Sequence, residues 1–195
     1  AGKNKIINGG FDIWQRGTSF ATNLYGADRW YITGTGVTYT QDTDVPTGVS
    51  VQYSIKWVTS AGSSYGQYYQ ALEQAIVKPL RGQKMTLAMW VKTANYGVGT
   101  QILRVTYSNS SDSLSASSAG TLVSDASVAG NTLGSWTKIT NTFTVPSDAV
   151  GLCVALLPDT AQNSGVTVKM TAAQLELGNV ATPFSRAGGS IGGEL

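Results

Sequence analysis

The sequence predicts an all-β chain folded as a two-sheet antiparallel β-sandwich, most simply a jelly roll. Three observations favour this fold class. Apolar residues alternate in short segments, turn-forming residues close those segments, and no segment has a convincing helical period. A chain of 195 residues is long enough to bury one core. We therefore expect nine or ten strands in a single domain over residues 1–195.

The first half of the chain contains predicted strands in DRWYIT, VTYTQ and VSVQYSIKW. From Val49 to Trp57 every second side chain is apolar, which predicts one inward face and one face toward solvent or a partner. GQYYQALEQ is predicted to follow as a strand. A helix over YYQALEQAIV is the alternative, but that segment is short, lacks a clear cap and runs into Pro79.

The second half contains predicted strands in KMTLAMWVK, TQILRVTY, SWTKITNTFTV and GVTVKMTAAQLEL. In the first of these, alternate side chains from Met85 to Val91 are predicted to point inward, which leaves Trp90 on an otherwise polar face. The apolar run Val150 to Leu157 is expected to be covered on both faces. The Ser-rich segment from Tyr107 to Gly134 is predicted to be irregular and is a candidate contact surface.

Composition excludes several classes of protein. A net charge of +2 with no basic run argues against nucleic-acid binding. The absence of His removes the usual general base and the commonest metal ligand. The single Cys153 lies in an apolar run and permits no intramolecular disulfide. No apolar stretch is long enough for a membrane span, so membrane insertion is not expected.

Two terminal motifs resemble a family of bacteriophage and prophage virion proteins. They are NKIINGGFDIWQRGTSF, followed by ADRWYI, and the closing AAQLELGNVATPFSR. The middle segment YYQALEQAIVKPLRGQKMTLAMWVKT is similar to that family's Gln, Glu and Leu-x-Gly-x-x-x-Thr pattern. The family's jelly-roll module occurs in tail fibres, receptor-binding proteins and capsid decorations, and is similar in fold to carbohydrate-binding modules.

The resemblance implies a non-enzymatic virion structural protein of the tail-fibre or receptor-binding type that recognises host surface glycans. It also implies other virion proteins as partners and a homotrimer, since edge strands need covering. Three alternatives stay open: a capsid decoration or cement protein, a carbohydrate-binding module of an enzyme, and a polysaccharide depolymerase. Family members often continue beyond GGSIGGEL, so the chain ending at Leu195 is either a compact component or part of a longer fibre.

The terminal motifs are interpreted as structural. Asn8 to Gly10 permit a tight turn with positive φ. The segment 1–30 is then expected to be fastened onto the sandwich, and residues 184–195 to form a C-terminal tail after Pro183. The residues predicted to form this clamp are Trp14, Arg16, Asp28, Arg29 and Trp30.

A candidate glycan or partner face is predicted from aromatic residues among polar neighbours. Tyr and Trp rings stack on the apolar C–H faces of sugars, while amides bind the hydroxyls. The candidates are Trp90, Tyr65, Tyr68, Tyr69 and Gln70. The alternative is that Trp90 lies in a subunit contact and that half of the tyrosines belong to the core.

No cofactor is expected, and no catalytic residues are assigned. Glycoside cleavage needs two carboxylates at a set separation, and the acids within predicted strands, Glu73 and Glu176, lie on different strands. Asp42 and Asp44 could offer oxygens to a structural calcium ion, but the full loop spacing is missing. These turn acids are therefore expected to be solvated.

Overall fold

The computed structural model describes residues 3–62, 64–97, 99–112, 114, 119–129 and 134–194. The chain is an antiparallel β-sandwich of two six-stranded sheets, which confirms the predicted fold class. The strands are β1 Ser19–Phe20, β2 Leu24–Tyr25, β3 Tyr31–Thr35, β4 Val37–Asp42, β5 Ser54–Thr59, β6 Tyr65–Leu72, β7 Lys84–Ala94, β8 Thr100–Ser108, β9 Thr121–Ala129, β10 Thr137–Thr144, β11 Gly151–Pro158 and β12 Thr167–Leu177. Sheet A has the order β1-β4-β5-β12-β7-β10, and sheet B has the order β2-β3-β6-β11-β8-β9.

Three predicted elements differ from the structure. The segment 107–134, predicted to be irregular, contains the nine-residue strand β9, while residues 113, 115–118 and 130–133 of that segment lie outside the described residues. YYQALEQAIV divides between the end of β6 and the short helix α1 Gln74–Val77, which continues into a 3-10 turn. Residues 49–53 precede β5 instead of belonging to it.

The core lies between the inner faces of the two sheets. Trp57 and Tyr68 are fully buried, and the Tyr68 hydroxyl donates to the Val168 carbonyl across the core at 3.1 Å. Gly66 allows β6 to approach β5 closely, because it has no side chain and a Cβ at this position would lie 3.0 Å from the Trp57 ring. Every residue of β11 is buried, which confirms that this apolar strand is covered on both faces.

The N-terminal segment packs against both sheets. Asn8 has φ +52°, whereas Gly9 is required for space, since its Cβ would lie 2.1 Å from the Ala173 carbonyl oxygen. The predicted tight turn therefore uses an asparagine for positive φ. Among the described residues, no helix is long and apolar enough to cross a membrane.

Candidate functional site

One residue from each strand of sheet B contributes to a single row across the outer face of that sheet. In register order this cross-strand row consists of Tyr25, Tyr31, Tyr69, Ala155, Arg104 and Asp125. Because neighbouring strands lie about 4.8 Å apart, the row spans roughly 24 Å. The centre of the row is covered, because Ala155 is fully buried and Tyr69 is 3% exposed, so a ligand would contact the row at its two ends.

The three tyrosines form a continuous aromatic surface at one end of the row. The ring centroids of Tyr25 and Tyr31 lie 5.1 Å apart at an interplanar angle of 86°. Tyr31 and Tyr69 lie 5.2 Å apart at 34°. Tyr25 is 47% exposed whereas Tyr69 is 3% exposed, so the surface descends from the edge of the sheet toward its centre. Stacked rings of this kind present apolar faces with limited conformational freedom.

Small and apolar side chains lie at the centre of the outer face. Ala155 separates Tyr69 from Arg104, and Cys153 and Leu157 flank it along β11. Leu114 packs against this cluster from the loop after β8. Burial raises the pKa of the Cys153 thiol to about 12, so the thiol is protonated and unreactive near neutral pH.

A charged pair forms the other end of the row. Arg104 donates from Nε to Asp125 Oδ1 at 2.9 Å and from Nη2 to Oδ2 at 2.7 Å. These hydrogen bonds raise the pKa of Arg104 above its ordinary value. Desolvation raises the pKa of the nearby Tyr65 phenol, and the positive charge of Arg104 partly offsets that rise. This end therefore offers fixed polar groups beside an aromatic ring.

A groove begins where the cross-strand row ends at Tyr25. It encloses about 730 Å³ between the N-terminal segment, the turn after β2, the end of β6 and the loop around Asp112. That volume lies within the range of small-ligand sites. The guanidinium of Arg16 lies 5.5 Å from the Tyr25 ring centroid, and both side chains line the groove, so Tyr25 belongs to the groove and to the row.

Two of the five predicted face residues lie on the outer face of sheet B. Tyr65 is partly buried in β6, and Tyr69 belongs to the cross-strand row. Their alternation with inward residues of β6 explains this position, since successive side chains of a strand point to opposite faces. Tyr65 and Tyr69 therefore share one face of β6, and their role in ligand binding stays a prediction.

The prediction that Tyr68 and Gln70 belong to the binding face is wrong. Both point inward from β6, and Tyr68 is a core residue. Gln70 donates from Nε2 to the Ile7 carbonyl at 2.9 Å and accepts from the Ile7 N–H at 3.0 Å. Its amide therefore binds the backbone of the N-terminal segment, which leaves it no free role on an outer face.

Trp90 lies on the outer face of the opposite sheet, so it cannot share a face with the tyrosines. In β7 it is partly buried between Thr171 of β12 and Lys138 of β10. Lys138 donates to the carbonyls of Ala181 and Thr182 at 3.2 and 3.1 Å, which fastens the C-terminal segment beside it. The sequence could not reveal this separation, because it depends on sheet order.

The prediction that Asp42 and Asp44 are solvated turn acids is wrong, because both carboxylates form ion pairs with lysines. Both carboxylates contact Lys169, at 3.0 and 2.9 Å, while Lys56 lies 2.8 Å from Asp42 and Lys92 lies 2.8 Å from Asp44. Partial burial alone would raise their pKa values, but hydrogen bonds from the lysines lower the pKa of both carboxyl groups. Among the described residues, no three His, Cys, Asp or Glu side chains could together hold a metal ion.

The two strand glutamates lie at separate places. Glu176 is buried in sheet A and accepts from the N–H and the hydroxyl of Thr182 at 2.8 and 2.7 Å. These and a further hydrogen bond from Gln174 lower the pKa of Glu176 despite desolvation. Glu73 follows β6 of sheet B, and its side chain is 70% exposed. The structure therefore does not bring these two carboxylates together.

The predicted clamp residues differ in burial. Trp30 is fully buried, and its Nε1 donates to the Asn8 carbonyl at 3.1 Å. Trp14 donates to the Phe11 carbonyl, and Asp28 accepts from the Gln15 N–H at 3.0 Å. In contrast, the side chains of Arg16 and Arg29 are 61% and 59% exposed and line the groove. A joint clamping role for all five stays a prediction.

Sequence reasoning missed five of the six members of the row. They are Tyr25, Tyr31, Ala155, Arg104 and Asp125. Tyr31 and Arg104 were within predicted strands, so alternation could have placed them on the same faces as their neighbours. Tyr25 and Asp125 lie in strands that the sequence did not indicate, and no local signal shows that six strands align these residues.

No protein-family model and no curated protein matches the chain. Its fold is similar to the enzymatically active domain of tailspike protein 4 from bacteriophage CBA120, with a TM-score of 0.60 and 14% identity over 90% of this chain. The chain spans only 21% of that tailspike chain.

Two further solved structures are similar. The carbohydrate-binding module TmCBM61, solved with β-1,4-galactotriose, has a TM-score of 0.56 and 12% identity, with 91% of this chain and all of the module covered. The CBM22-1-GH10 modules of a Clostridium thermocellum xylanase, solved with xylohexaose, have a TM-score of 0.52 and 16% sequence identity. The similarity covers 85% of this chain and 28% of the xylanase chain. At these identities the comparisons show the fold alone: this chain has the jelly-roll sandwich found in carbohydrate-binding modules and in one phage tailspike.

Proposed function

We propose that the chain is a non-catalytic carbohydrate-binding domain that binds a glycan across the outer face of sheet B. The observation that carries this proposal is the cross-strand row, which has Tyr25 and Tyr31 at one end and the Arg104–Asp125 pair at the other. Tyr25 and Tyr31 would stack on the C–H faces of sugar rings. The charged pair would exchange hydrogen bonds with hydroxyl groups.

The test is the binding of purified chain to an array of plant and bacterial polysaccharides, followed by titration calorimetry with each polysaccharide that binds. Tyr31→Ala is expected to weaken binding about tenfold, because a lost aromatic stacking partner costs about 1.4 kcal/mol. Tyr53→Ala is the matched control, since the backbone of Tyr53 contacts Thr171 of sheet A. No binding to any polysaccharide, or equal loss in both variants, would contradict the proposal.

We further propose that the domain acts in a virion as a tail-fibre or receptor-binding component that contacts host surface glycans. The terminal motifs support this location, and the tailspike likeness is consistent with it at the level of fold. Binding to intact host cells that is lost in Tyr31→Ala would support the receptor role. Binding only to purified virion shells would instead favour the decoration protein.

A carbohydrate-binding module of an enzyme is the second candidate, favoured by the similarity to the xylanase modules. Both candidates use the same face, so the glycan assay does not separate them. The oligomeric state does separate them, because a homotrimer is expected for the virion protein. Light scattering that gives three times the chain mass of 20.4 kDa would support it, whereas a monomer would favour the enzyme-linked module.

A further inference from the structure

The groove beside Tyr25 is lined by charged side chains that do not belong to the cross-strand row. Its lining includes three cationic and four acidic side chains: Lys5, Arg16, Arg29, Asp28, Glu73, Asp112 and Glu194. Apolar residues such as Ile13, Leu72 and Ile76 also line it. The positive and negative charges of the lining are therefore nearly equal in number. Which of these groups can bind a ligand depends on the hydrogen bonds that each already makes within the protein.

Three of the four acidic side chains accept hydrogen bonds from backbone N–H groups. Asp28 accepts from the Gln15 N–H at 3.0 Å, and Asp112 accepts from the Gln74 N–H at 3.2 Å. Glu194 Oε1 accepts from two backbone N–H groups, at 3.0 and 3.2 Å. These carboxylates serve to hold loops and chain ends in place, so their charge is already partly compensated.

Arg16 and Arg29, in contrast, are held by long ion pairs. Arg16 lies 4.0 Å from Asp28, and Arg29 lies 3.9 Å from Glu73, both at the outer limit of an ion pair. Within the described part of the chain, neither guanidinium donates a hydrogen bond to a protein acceptor. Each retains its fork of N–H donors, the geometry that matches a carboxylate.

The backbone at Arg29 is strained. Arg29 has φ +71° in the turn between β2 and β3, where the Trp30 N–H donates to the Ala27 carbonyl at 2.9 Å. Gly or Asn would occupy this conformation at lower cost. A bulky cationic residue kept in a strained turn is a pattern associated with functional sites.

We propose that the groove binds an acidic sugar, and that Arg16 and Arg29 together recognise its carboxylate at the end of a glycan that stacks on Tyr25. This inference rests on the proposed function, because the sugar in the groove is continuous with the glycan on the cross-strand row. The substrate class is therefore a uronate-containing polysaccharide. Glu73 opposes the sugar carboxylate and weakens its binding.

The test compares polygalacturonate, alginate and hyaluronan with the carboxyl-reduced form of each, by affinity electrophoresis and calorimetry. Wild-type chain is expected to bind at least one acidic form about tenfold more tightly than its reduced form, as two exposed ion pairs of modest strength would give. The Arg16→Gln, Arg29→Gln double variant is expected to lose this preference. Lys84→Gln, which removes an exposed charge from sheet A, is the control and should retain it.

Two further variants separate recognition from structure. Glu73→Gln is expected to tighten binding of the acidic form about threefold and leave the reduced form unchanged. Arg29→Gly is expected to lose the preference while the melting temperature stays the same or rises, because glycine relieves the strained φ. A fall in melting temperature with an unchanged preference would show that Arg29 is structural only and would overturn the inference.

The outcomes also separate this inference from the proposed function. Equal binding of acidic and reduced forms, with both weakened by Tyr31→Ala, would overturn the acidic-sugar site and keep the glycan-binding face. No binding to any acidic or reduced form would overturn the acidic-sugar site as well. Failure to bind any member of the array of plant and bacterial polysaccharides in addition would overturn the proposed function.

Discussion

The outer faces of the two sheets differ in how the chain itself covers them. On sheet A, Asp44 and the C-terminal segment lie over the strands, and lysines of the sheet bind both. On sheet B, Leu114 packs on the centre beside Cys153, whereas Tyr25 is exposed and Tyr31 is partly buried. Both faces carry aromatic residues, and on sheet B the contacting rings of Tyr25 and Tyr31 lie at the edge of the sheet.

We infer from this difference that coverage by other segments of the chain, and not the aromatic residues alone, determines which face is open to a ligand. Trp90 and Tyr31 are both partly buried. Trp90 lies beside Lys138, which binds the C-terminal segment, whereas Tyr31 contacts the rings of Tyr25 and Tyr69. Substitutions on sheet A should therefore change stability, and substitutions on sheet B should change binding.

The largest effect is expected for Arg186→Ala in the C-terminal segment. Arg186 donates twice to Asp12 Oδ2, at 2.9 and 2.7 Å, and the Asp12 side chain is 1% exposed. Removing the arginine leaves a buried carboxylate unpaired, at a cost of about 3 kcal/mol. Urea denaturation measures this loss. The exposed Arg29→Ala is the control and should change stability by less than about 0.5 kcal/mol.

Asp44→Asn is expected to destabilise the chain by about 2 kcal/mol, because Lys92 and Lys169 lose their shared carboxylate. Glycan affinity should stay unchanged at temperatures where the variant is folded. Denaturation and calorimetry on the same preparation test both statements. An equal loss of binding would show that the two faces are coupled.

Acid should remove the same stabilisation in the wild-type chain. The folded pKa values of Asp42 and Asp44 lie below the ordinary 3.8, so their contribution is complete above that value and is lost as the pH falls through the folded pKa. The stability difference between wild type and Asp44→Asn should therefore shrink below pH 3.8. A difference that stays constant would contradict the assigned ion network.

The smallest effect is expected for Trp90→Ala on glycan binding. Trp90 lies on sheet A, so its removal should leave affinity unchanged within a factor of two, while Tyr31→Ala weakens binding about tenfold. The same calorimetric titration measures both. Greater loss in Trp90→Ala would move the site to sheet A and restore the hypothesis that Trp90 binds the ligand.

Strand alternation in the sequence was sufficient to predict the fold class and several strands. Alternate residues from Met85 to Val91 lie in the core as predicted, although Thr86 and Ala88 between them are also buried, and the run of β11 is covered on both faces. β9 was missed because it is an edge strand rich in Ser and Ala, with a weak apolar pattern. Its register with β8, which places Asp125 beside Arg104, has no local signature.

The candidate site could be predicted only in part for the same reason. Alternation correctly placed Tyr65 and Tyr69 together, but assigning Tyr68 to the same face conflicts with the two-residue period of a strand. Gln70 looked like a ligand-binding amide, yet it pairs with the backbone of Ile7, 63 residues away. Contacts of such sequence separation depend on sheet order, which the sequence does not display.

The most direct test of the central claim is a map of amide and side-chain N–H chemical shifts by NMR, recorded as a bound polysaccharide is titrated. We predict shifts for the amides of Tyr31 and Tyr69 and for Arg104 Nε–H, with unchanged indole signals from Trp90 and Trp136. Shifts of those indole signals together with unchanged sheet B amides would contradict the claim. They would place the glycan on the opposite face.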